Sequence, residues 1–299
     1  MEIMYKVAIV IPTCNAGREF ANLLAEIARQ SLPIACKLVI DSSSTDGTAD
    51  VAKKYGWQVR SIPKAEFSHG GTRQMAVELL PDDIEIVVFL TQDVRLPDRY
   101  SLEKLVGAFA DNQDNDQEAH VAAAYGRQLP HEGASIYAAV DREFNYPAVS
   151  RIKSMADSSE LGIKTTFLSD SFAAYRVQDL VAIGGFPKIN ICEDMYVAGK
   201  LLLAGKHIAY VAEAEARHSH EPKLKDMWKR YRAMGGFQRK NPWIKESFGS
   251  AGGEGMRLVR YQIRRIGTEK GIWGIVKIIV YDLIKIISFT CGNKVIIVQ

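Results

Sequence analysis

Three short apolar runs in the first hundred residues each end in polar residues. The runs are rich in Val and Ile, have the length of β-strands and are separated by segments with helical spacing. We therefore predict parallel strands whose carboxyl ends place the polar residues along one rim of a sheet, where open α/β sheets bind their ligands. The runs and the residues that follow them are 7–11 with Pro12 and Thr13, 38–40 with Asp41, and 86–90 with Thr91, Gln92 and Asp93.

Three helices are predicted between these strands. Residues 16–30 carry apolar side chains at helical spacing and end before Pro33, which stops a helix. Residues 49–55 follow a polar turn that offers N-cap residues, and a third helix is predicted at 71–80. Strands that alternate with helices indicate an α/β fold with a mostly parallel, Rossmann-like central sheet and right-handed crossovers.

The charge is unevenly distributed along the chain. The whole sequence has a formal net charge of +3, but residues 222–299 contain 16 Lys or Arg against 5 Asp or Glu, a net of +11 that leaves −8 for residues 1–221. We take this change as a domain boundary, with an α/β domain over 1–221 and a basic, helical C-terminal region over 222–299. A basic region on an acidic body favours an anionic partner surface.

Residues 271–290 of the basic region are nearly all apolar but are interrupted by charges, so we do not expect them to span a membrane. On a helix of 100° per residue, the polar positions fall within one arc of about 140° and the apolar positions cover the rest. This pattern is typical of a helix at a membrane interface. Packing against the main domain or against a second subunit would give the same pattern. The polar positions are Lys270, Lys277, Tyr281, Asp282 and Lys285.

Composition narrows the class of protein. With 299 residues, 47% hydrophobic and 24% charged, the chain is long enough for one large domain with an appendage. Its four cysteines show no paired spacing and its first residues show no cleavable signal, so we expect a cytoplasmic protein. The absence of GxGxxG after the first predicted strand argues against an NAD-dependent oxidoreductase. The aliphatic stretches of the basic region argue against nucleic-acid binding.

An ordered set of motifs narrows the family. Together they resemble family 2 glycosyltransferases of the GT-A fold, and the later ones resemble the rhamnosyltransferase branch. The resemblance runs from about residue 6 to residue 240. The motifs are IPTCN at 11–15, DSSSTDGT at 41–48, FSHGGTRQ at 67–74, QD at 92–93, YGRQ at 125–128, FLSD at 167–170, GGFP at 184–187, ED at 193–194 and HSH at 218–220.

The resemblance implies a nucleotide-sugar donor bound at the rim of the sheet. Thr13 would lie against the nucleotide with its neighbours Pro12 and Asn15. Asp41 would accept a hydrogen bond from the N3–H of a uracil or thymine ring, although Thr13 or Asp41 could instead cap the following turn. Arg73 would contact the base or the diphosphate, because its fixed charge and planar fork suit phosphate oxygens. A surface arginine is the alternative.

Three further residues complete the donor site that the resemblance implies. Gln92 lies beside the acid of the strand end, and Asp170 matches an acid of the rhamnosyltransferase pattern that would touch the donor sugar or the acceptor. Arg230 would neutralise diphosphate charge, because residues 228–231 are similar to the QxxRW motif of processive relatives. The Gln and the Trp of that motif are replaced here, which argues against a processive polymerase. A basic, lipid-facing helix is the alternative for this segment.

A divalent cation is also implied. Asp93 matches the last acid of the family's DxD motif, whose first acid is replaced by Thr91. One carboxylate with phosphates and waters can still hold Mg²⁺ or Mn²⁺. A histidine from the HSH motif would add a ligand. Since alternate residues of an extended segment point to opposite faces, we expect at most one of His218 and His220 to reach the metal, and we favour His220. A structural histidine is the alternative.

Asp194 is the residue expected to carry the chemistry. In the resembling family the catalytic base lies at this position of the Glu-Asp pair, and an inverting transfer needs a carboxylate within hydrogen-bond reach of the acceptor hydroxyl. Glu193 would orient the acceptor or cap the helix. Without the other motifs, the pair could simply be helix N-terminal acids favoured by the macrodipole.

The sequence thus predicts an inverting, metal-dependent glycosyltransferase. The resemblance favours L-rhamnose transfer from dTDP-rhamnose to a lipid-linked saccharide acceptor in bacterial surface-polysaccharide synthesis at the inner face of the cell membrane. UDP-galactose and GDP-mannose remain alternative donors. A non-catalytic nucleotide- or carbohydrate-binding module is the alternative from a different class, and self-association into a homo-oligomer is left open.

Overall fold

The structure is a computed structural model that describes residues 5–110, 120–250 and 252–294. This part of the chain forms one eight-stranded sheet, eleven α-helices and three short 3₁₀ helices. The strands are β1 (Val7–Thr13), β2 (Cys36–Asp41), β3 (Gln58–Ser61), β4 (Ile86–Leu90), β5 (Val121–Leu129), β6 (Arg151–Lys153), β7 (Phe172–Arg176) and β8 (His207–Arg217).

The helices lie between the strands and then succeed one another at the end of the chain. They are α1 (Glu19–Ala28), α2 (Thr48–Lys54), α3 (His69–Glu78), α4 (Ser101–Gly107), α5 (Ile136–Asn145), α6 (Ser158–Leu161), α7 (Val177–Ala182), α8 (Glu193–Leu203), α9 (Leu224–Lys240), α10 (Pro242–Phe248) and α11 (Gly252–Asn293). The 3₁₀ helices are Lys64–Glu66, Met155–Asp157 and Gly162–Thr166.

The sheet is mixed, with the strand order β3-β2-β1-β4-β7-β5-β8-β6. β1 pairs in parallel with β2 and β4, and β2 pairs in parallel with β3. β4 and β5 both pair antiparallel with β7, and β6 pairs antiparallel with β8. The predicted α/β fold with flanking helices and a helical C-terminal region is confirmed. The parallel arrangement covers four strands, and the antiparallel half is a feature that the apolar runs did not indicate.

The predicted strands of the parallel half are buried on both faces, which explains their continuous apolar sequence. On one face, Ile9 belongs to the same buried hydrophobic cluster as Phe20 of α1, and all of β4 is inaccessible to solvent. On the other face, the ring centre of Phe89 lies 5.4 Å from that of Phe186. Burying one such side chain contributes about 1.5–3 kcal/mol, so this layer fixes the strand ends that carry the polar rim.

Two local predictions needed correction. β3 was missed because it is an edge strand with largely exposed side chains and therefore has no apolar run. The polar turn before α2 does not supply a side-chain N-cap, because Gly47 occupies that position in the left-handed region (φ 85°). Asp46 instead accepts hydrogen bonds from the backbone N and the hydroxyl of Thr48, at 3.1 and 2.6 Å.

The described residues fall into two compact units. The first is drawn from 1–128, 148–155 and 166–218 and carries the sheet, and the second is drawn from 129–147, 156–165 and 219–299. In the second unit, α9 and α11 approach so closely that a Cβ on Gly235 would lie 2.1 Å from the carbonyl oxygen of Phe289. No helix in the described ranges has the length and hydropathy needed to cross a bilayer.

Candidate functional site

The loops after β1 and β2 are joined by hydrogen bonds at the polar rim. Asn15, in the left-handed region at φ 47°, donates its backbone N–H to Ser44 Oγ at 2.8 Å, and its Oδ1 accepts from the backbone N of Thr45 at 2.9 Å. Ala16 N donates to Thr48 Oγ1 at 3.0 Å. These bonds hold the two loops together as one surface at the carboxyl ends of two parallel strands.

Asp41 lies at the centre of this surface and is 2% exposed. Its Oδ1 accepts from Thr13 Oγ1 at 2.8 Å and from Ser44 Oγ at 2.6 Å, and its Oδ2 accepts from the backbone N of Ser44 at 2.9 Å. The carboxylate therefore organises the turn that follows β2, as the capping alternative anticipated. Recognition of a pyrimidine N3–H would use the remaining acceptor capacity of Oδ2.

The end of β4 is fastened to the same rim. Gln92 accepts from the backbone N of Cys14 at 2.8 Å and donates to its carbonyl oxygen at 3.3 Å, so its side chain closes the gap between β1 and β4. Within the described residues, the buried Thr91 Oγ1 has no hydrogen-bond partner. An unsatisfied buried hydroxyl costs free energy, so this position is suited to a bound polar group.

Asp93 and two histidines form the candidate metal site. His218 Nε2 lies 3.5 Å from Asp93 Oδ2, and the ligand atoms of Asp93, His218 and His220 all lie within 4.8 Å of one another. Residues 218–223 have no regular strand conformation, so the expected alternation of faces does not apply and both histidines lie near Asp93. The preference for His220 as the metal ligand stays a prediction.

His218 has the surroundings of a metal ligand. It is 5% exposed, and its Nδ1 lies 3.1 Å from Gln128 Oε1. A proton on Nδ1 that is donated to this oxygen would leave Nε2, on the side of Asp93, with the lone pair that a metal ligand needs. Gln128 is itself fixed, since its Nε2 donates to Ser169 Oγ at 2.9 Å. Such outer hydrogen bonds orient metal-binding imidazoles. The donor set of one carboxylate and imidazole nitrogens fits Mn²⁺ better than Mg²⁺, which prefers oxygen ligands.

A second cluster contains buried charges. The guanidinium of Arg73 is 3% exposed, and its Nη1 donates to Glu193 Oε1 at 2.8 Å. Its Nε lies 3.1 Å from Asp170 Oδ2 without good hydrogen-bond geometry, and Asp170 also accepts a hydrogen bond from the hydroxyl of Tyr175. Arg73 was expected to contact the base or the diphosphate. The structure instead places its guanidinium between two carboxylates.

Burial controls the ionisation of this cluster. It raises the pKa of Asp170 to about 6, with Arg73 opposing the rise and the charge of Asp194 adding to it. Because the ordinary value is 3.8, folding takes up a proton between about pH 4 and 6. The contribution of this group to the free energy of unfolding therefore falls as the pH rises through that interval. Burial and the neighbouring Asp170 likewise raise the pKa of Tyr175.

Asp194 and Glu193 begin α8 after a constrained turn. Cys192 holds the N-cap position in the left-handed region at φ 59°, which is unusual for a residue other than glycine and is often found at functional sites. Glu193 is directed into the buried cluster, whereas Asp194 is more accessible and accepts from the backbone N of Met195 at 2.8 Å. Acids in the first turn are favoured by the helix dipole.

Two of the sequence motifs dock α3 against the turn that precedes α8. A Cβ on Gly70 would lie 1.9 Å from the carbonyl oxygen of Pro187, and one on Gly185 would lie 2.0 Å from Gln74 Oε1. Gln74 Oε1 also accepts from the backbone N of Phe186 at 2.8 Å. The glycines of both motifs therefore permit a close approach that fixes Arg73 relative to Glu193.

The segment 169–171 connects the clusters. Ser169 Oγ accepts from Gln128, Asp170 contacts Arg73, and the carbonyl oxygen of Ser171 accepts from Thr91 N at 3.3 Å. Consecutive Cα atoms are about 3.8 Å apart, so three adjacent residues link the metal candidates, the end of β4 and the buried carboxylates. Sequence analysis gave no role to Tyr175 or Gln128, although Gln128 belongs to the YGRQ motif.

Two further residues, Pro12 and Arg230, were predicted to contact the donor, and this stays a prediction. Pro12 is part of β1, where it is the register partner of Ile40. Arg230 lies on α9 in the second unit and its side chain is exposed.

This rim defines a class of protein. Parallel strands that end in an organised polar surface, with a carboxylate-histidine group and a carboxylate at a helix start nearby, are typical of α/β proteins that bind nucleotides and act on them. The family model for glycosyl transferase family 2 matches residues 8–184. The chain belongs to this family and is a glycosyltransferase.

Relatives of known activity cover most of the chain. It is 41% identical over 270 residues to "O-antigen chain rhamnosyltransferase RfbN" of Salmonella typhimurium, covering 90% of this chain and 83% of that protein. It is also 41% identical over 267 residues to "O-antigen chain rhamnosyltransferase WbaN" of Salmonella anatum, covering 89% and 82%.

Solved structures share the fold. A mannosyltransferase from Pyrobaculum calidifontis, in complex with GDP-Man and Mn²⁺, has a TM-score of 0.65 at 15% identity and covers 98% of this chain and 90% of that chain. TarS of S. aureus, in complex with UDP-GlcNAc, has a TM-score of 0.58 at 16% identity and covers 96% and 90%.

Proposed function

We propose that this glycosyltransferase moves L-rhamnose from dTDP-rhamnose to a hydroxyl of a saccharide acceptor, with inversion at the anomeric carbon. The observation that carries the sugar is the 41% identity, over 90% of the chain, to an O-antigen chain rhamnosyltransferase. By the same argument the acceptor is a lipid-linked saccharide of bacterial surface-polysaccharide synthesis, and the enzyme works in the cytoplasm at the inner face of the membrane.

The donor is proposed to lie along the polar rim. The joined loops after β1 and β2 offer Thr13, Asn15 and Asp41 to the nucleotide, and Asp93 lies at the end of the neighbouring strand β4. Asp93, His218 and His220 would hold a divalent cation, for which Mn²⁺ fits the donor set. When bound, the cation supplies positive charge that neutralises the leaving diphosphate.

Asp194 is the proposed general base. It takes the proton of the acceptor hydroxyl, whose oxygen attacks the anomeric carbon while the bond to the diphosphate breaks and its electron pair leaves with the nucleotide. Attack opposite the leaving group inverts the configuration. Glu193 is proposed to keep its salt bridge with Arg73 and thereby to hold the first turn of α8 in place.

Arg73 and Asp170 are proposed as positioning residues. Both are almost fully buried, so their contribution to transfer would come through the placement of Glu193 and Asp194. Gln92 has the same role for the loop after β1, through its two hydrogen bonds to Cys14.

The donor and the metal can be tested together by thermal shift. We expect dTDP-rhamnose with Mn²⁺ to raise the melting temperature more than UDP-galactose or GDP-mannose, and EDTA to remove most of the shift. Asp93→Asn and His218→Ala should lose the Mn²⁺-dependent part of the shift, because each removes a ligand, whereas His207→Ala on β8 should keep it. An equal Mn²⁺ effect in all three variants, or a larger shift with another donor, would contradict the assignment.

A further inference from the structure

Within the second unit, residues 272–293 of α11 carry charged side chains that contact α5. Lys285 is only 11% exposed and pairs with Asp282 at 3.0 Å and with Asp141 of α5 at 3.4 Å. The ammonium of Lys277 lies 4.2 Å from the ring centre of a tyrosine on α5. Lys285 and Asp282 of the polar arc therefore pack inside the unit, whereas Lys270 and Lys277 of the same arc are exposed.

The opposite side of the same helix is apolar and exposed. Eight large apolar side chains between residues 272 and 287 are exposed, including Trp273 at 81%, Ile272 at 67% and Ile286 at 59%. At 100° per residue they occupy an arc of about 140°, opposite the polar arc. We call these eight side chains the apolar ridge. A contiguous exposed apolar surface of this kind marks an interaction site, and Trp is favoured at membrane interfaces.

A cleft with positive walls lies at the C-terminal end of the ridge. Its volume is about 530 Å³, and it is formed by one face of α9 and the last residues of α11. Lys229, Arg232, Arg239 and Lys294 line it together with Trp228, and no acidic side chain does. We call this the basic cleft. Cys291, Gly292 and Lys294 line the cleft, four to seven residues after the last side chain of the ridge.

The cations of the basic cleft lack anionic partners among the described residues. Lys229, Arg232 and Lys294 form no ion pair there, and Arg239 donates to the carbonyl oxygens of Gly292 and Lys294 at 3.1 and 3.0 Å. Four neighbouring cations repel one another, and a bound anion would relieve this repulsion. The close contact of Gly292 with the backbone of α9 fixes the width of the cleft.

We propose that the apolar ridge and the basic cleft dock this chain on an anionic phospholipid leaflet. The ridge enters the boundary between headgroups and acyl chains, with Trp273 at one end, and the cleft takes the phosphate of a phospholipid headgroup. Charge complementarity selects this partner, since residues 222–299 carry a net charge of +11. The inference deepens the proposed function, because a lipid-linked acceptor would lie in the same surface.

The test is flotation of the full chain with vesicles of phosphatidylcholine alone or with phosphatidylglycerol. We expect binding to the anionic vesicles and a blue shift of tryptophan emission that Trp273→Phe reduces. The ridge variant Leu283→Glu/Ile287→Glu should lose binding to anionic vesicles. Lys229→Glu/Lys294→Glu should weaken it by about thirtyfold or more, since each basic residue near the surface contributes about 1 kcal/mol. Lys240→Glu/Lys245→Glu, which changes the net charge equally outside the cleft, should weaken it less.

Several results would overturn the proposal. Equal loss of vesicle binding in the two charge-reversal variants would show that the cleft has no specific role in binding. Unchanged flotation of the ridge variant would show that the ridge has none. A ridge variant that turned a dimer into a monomer in analytical ultracentrifugation, without loss of vesicle binding, would assign the ridge to a second copy of the chain. Binding of free inorganic phosphate, measured by calorimetry, without any binding to vesicles would assign the cleft to a soluble anion. Hydrolysis of dTDP-rhamnose needs no lipid surface, so measuring it in the ridge variant tests the proposed function separately from membrane binding.

Discussion

Asp194→Asn is expected to lower the rate of sugar transfer by about 10²–10⁴-fold and to leave nucleotide binding unchanged. The loss follows because an amide cannot accept the proton of the acceptor hydroxyl, and general-base catalysis contributes a factor of this size. Binding should be retained, because the proposed nucleotide contacts lie at the ends of β1 and β2, while Asp194 begins α8. Steady-state transfer and calorimetry with dTDP measure the two quantities.

A matched control is Asp50→Asn, which removes a carboxylate from the first turn of α2 and should leave both quantities near the wild-type values. Near-normal turnover in Asp194→Asn would show that another group takes the proton. Loss of dTDP affinity would show instead that Asp194 belongs to the donor site.

Arg73→Met is expected to lower the free energy of unfolding by about 3–5 kcal/mol at pH 8, because it leaves Asp170 and Glu193 buried without their cation. The loss should be smaller at pH 5. Without the guanidinium the folded-state pKa of Asp170 rises further, so at pH 5 this acid takes up a proton and is buried as a neutral group. Urea unfolding at the two pH values measures the difference.

Lys6→Met provides the comparison, since it removes a pair with Asp83 in which both side chains are more than half exposed. That substitution should change the free energy of unfolding much less than Arg73→Met does, because solvent screens an ion pair between exposed side chains. If Arg73→Met cost no more than Lys6→Met, or cost more at pH 5 than at pH 8, the buried cluster would not have the electrostatics described above.

The parts of the fold that sequence could predict are those with strong local signals. β1 and β4 are apolar on both faces, and Phe20 and Leu23 of α1 recur at helical spacing, so periodicity located them. The exposed edge strand β3 has no such signal. The antiparallel half of the sheet depends on pairings between distant residues such as Val88 with Ala174, which composition does not encode.

The candidate site also has features that the sequence could predict and features that depend on packing. Motif spacing brought Asp93, Asp170 and Glu193 to attention, but it did not show that Arg73 would be enclosed by two of these acids. Burial and the partners of a side chain are properties of the packed structure. The preference for His220 over His218 assumed a regular strand, whereas the chain is irregular there and both histidines lie near Asp93.

The C-terminal helix is the clearest case of a correct pattern with an incomplete interpretation. Its two arcs were evident from the sequence, but the orientation of the charged arc was not. Lys285 and Asp282 pack inside the second unit, which leaves the apolar side exposed. Amphipathicity gives the existence of two faces, whereas tertiary packing decides which one meets the surroundings.

The central claim is that a nucleoside diphosphate-sugar binds at the rim with its diphosphate on a cation held by Asp93. Anomalous diffraction from crystals grown with Mn²⁺ and dTDP tests it most directly. The account predicts a manganese peak within coordination distance of Asp93 and His218 Nε2, with the diphosphate on the metal and the thymine beside Asp41. A manganese ion at other residues, or a nucleotide bound away from the ends of β1 and β2, would contradict it.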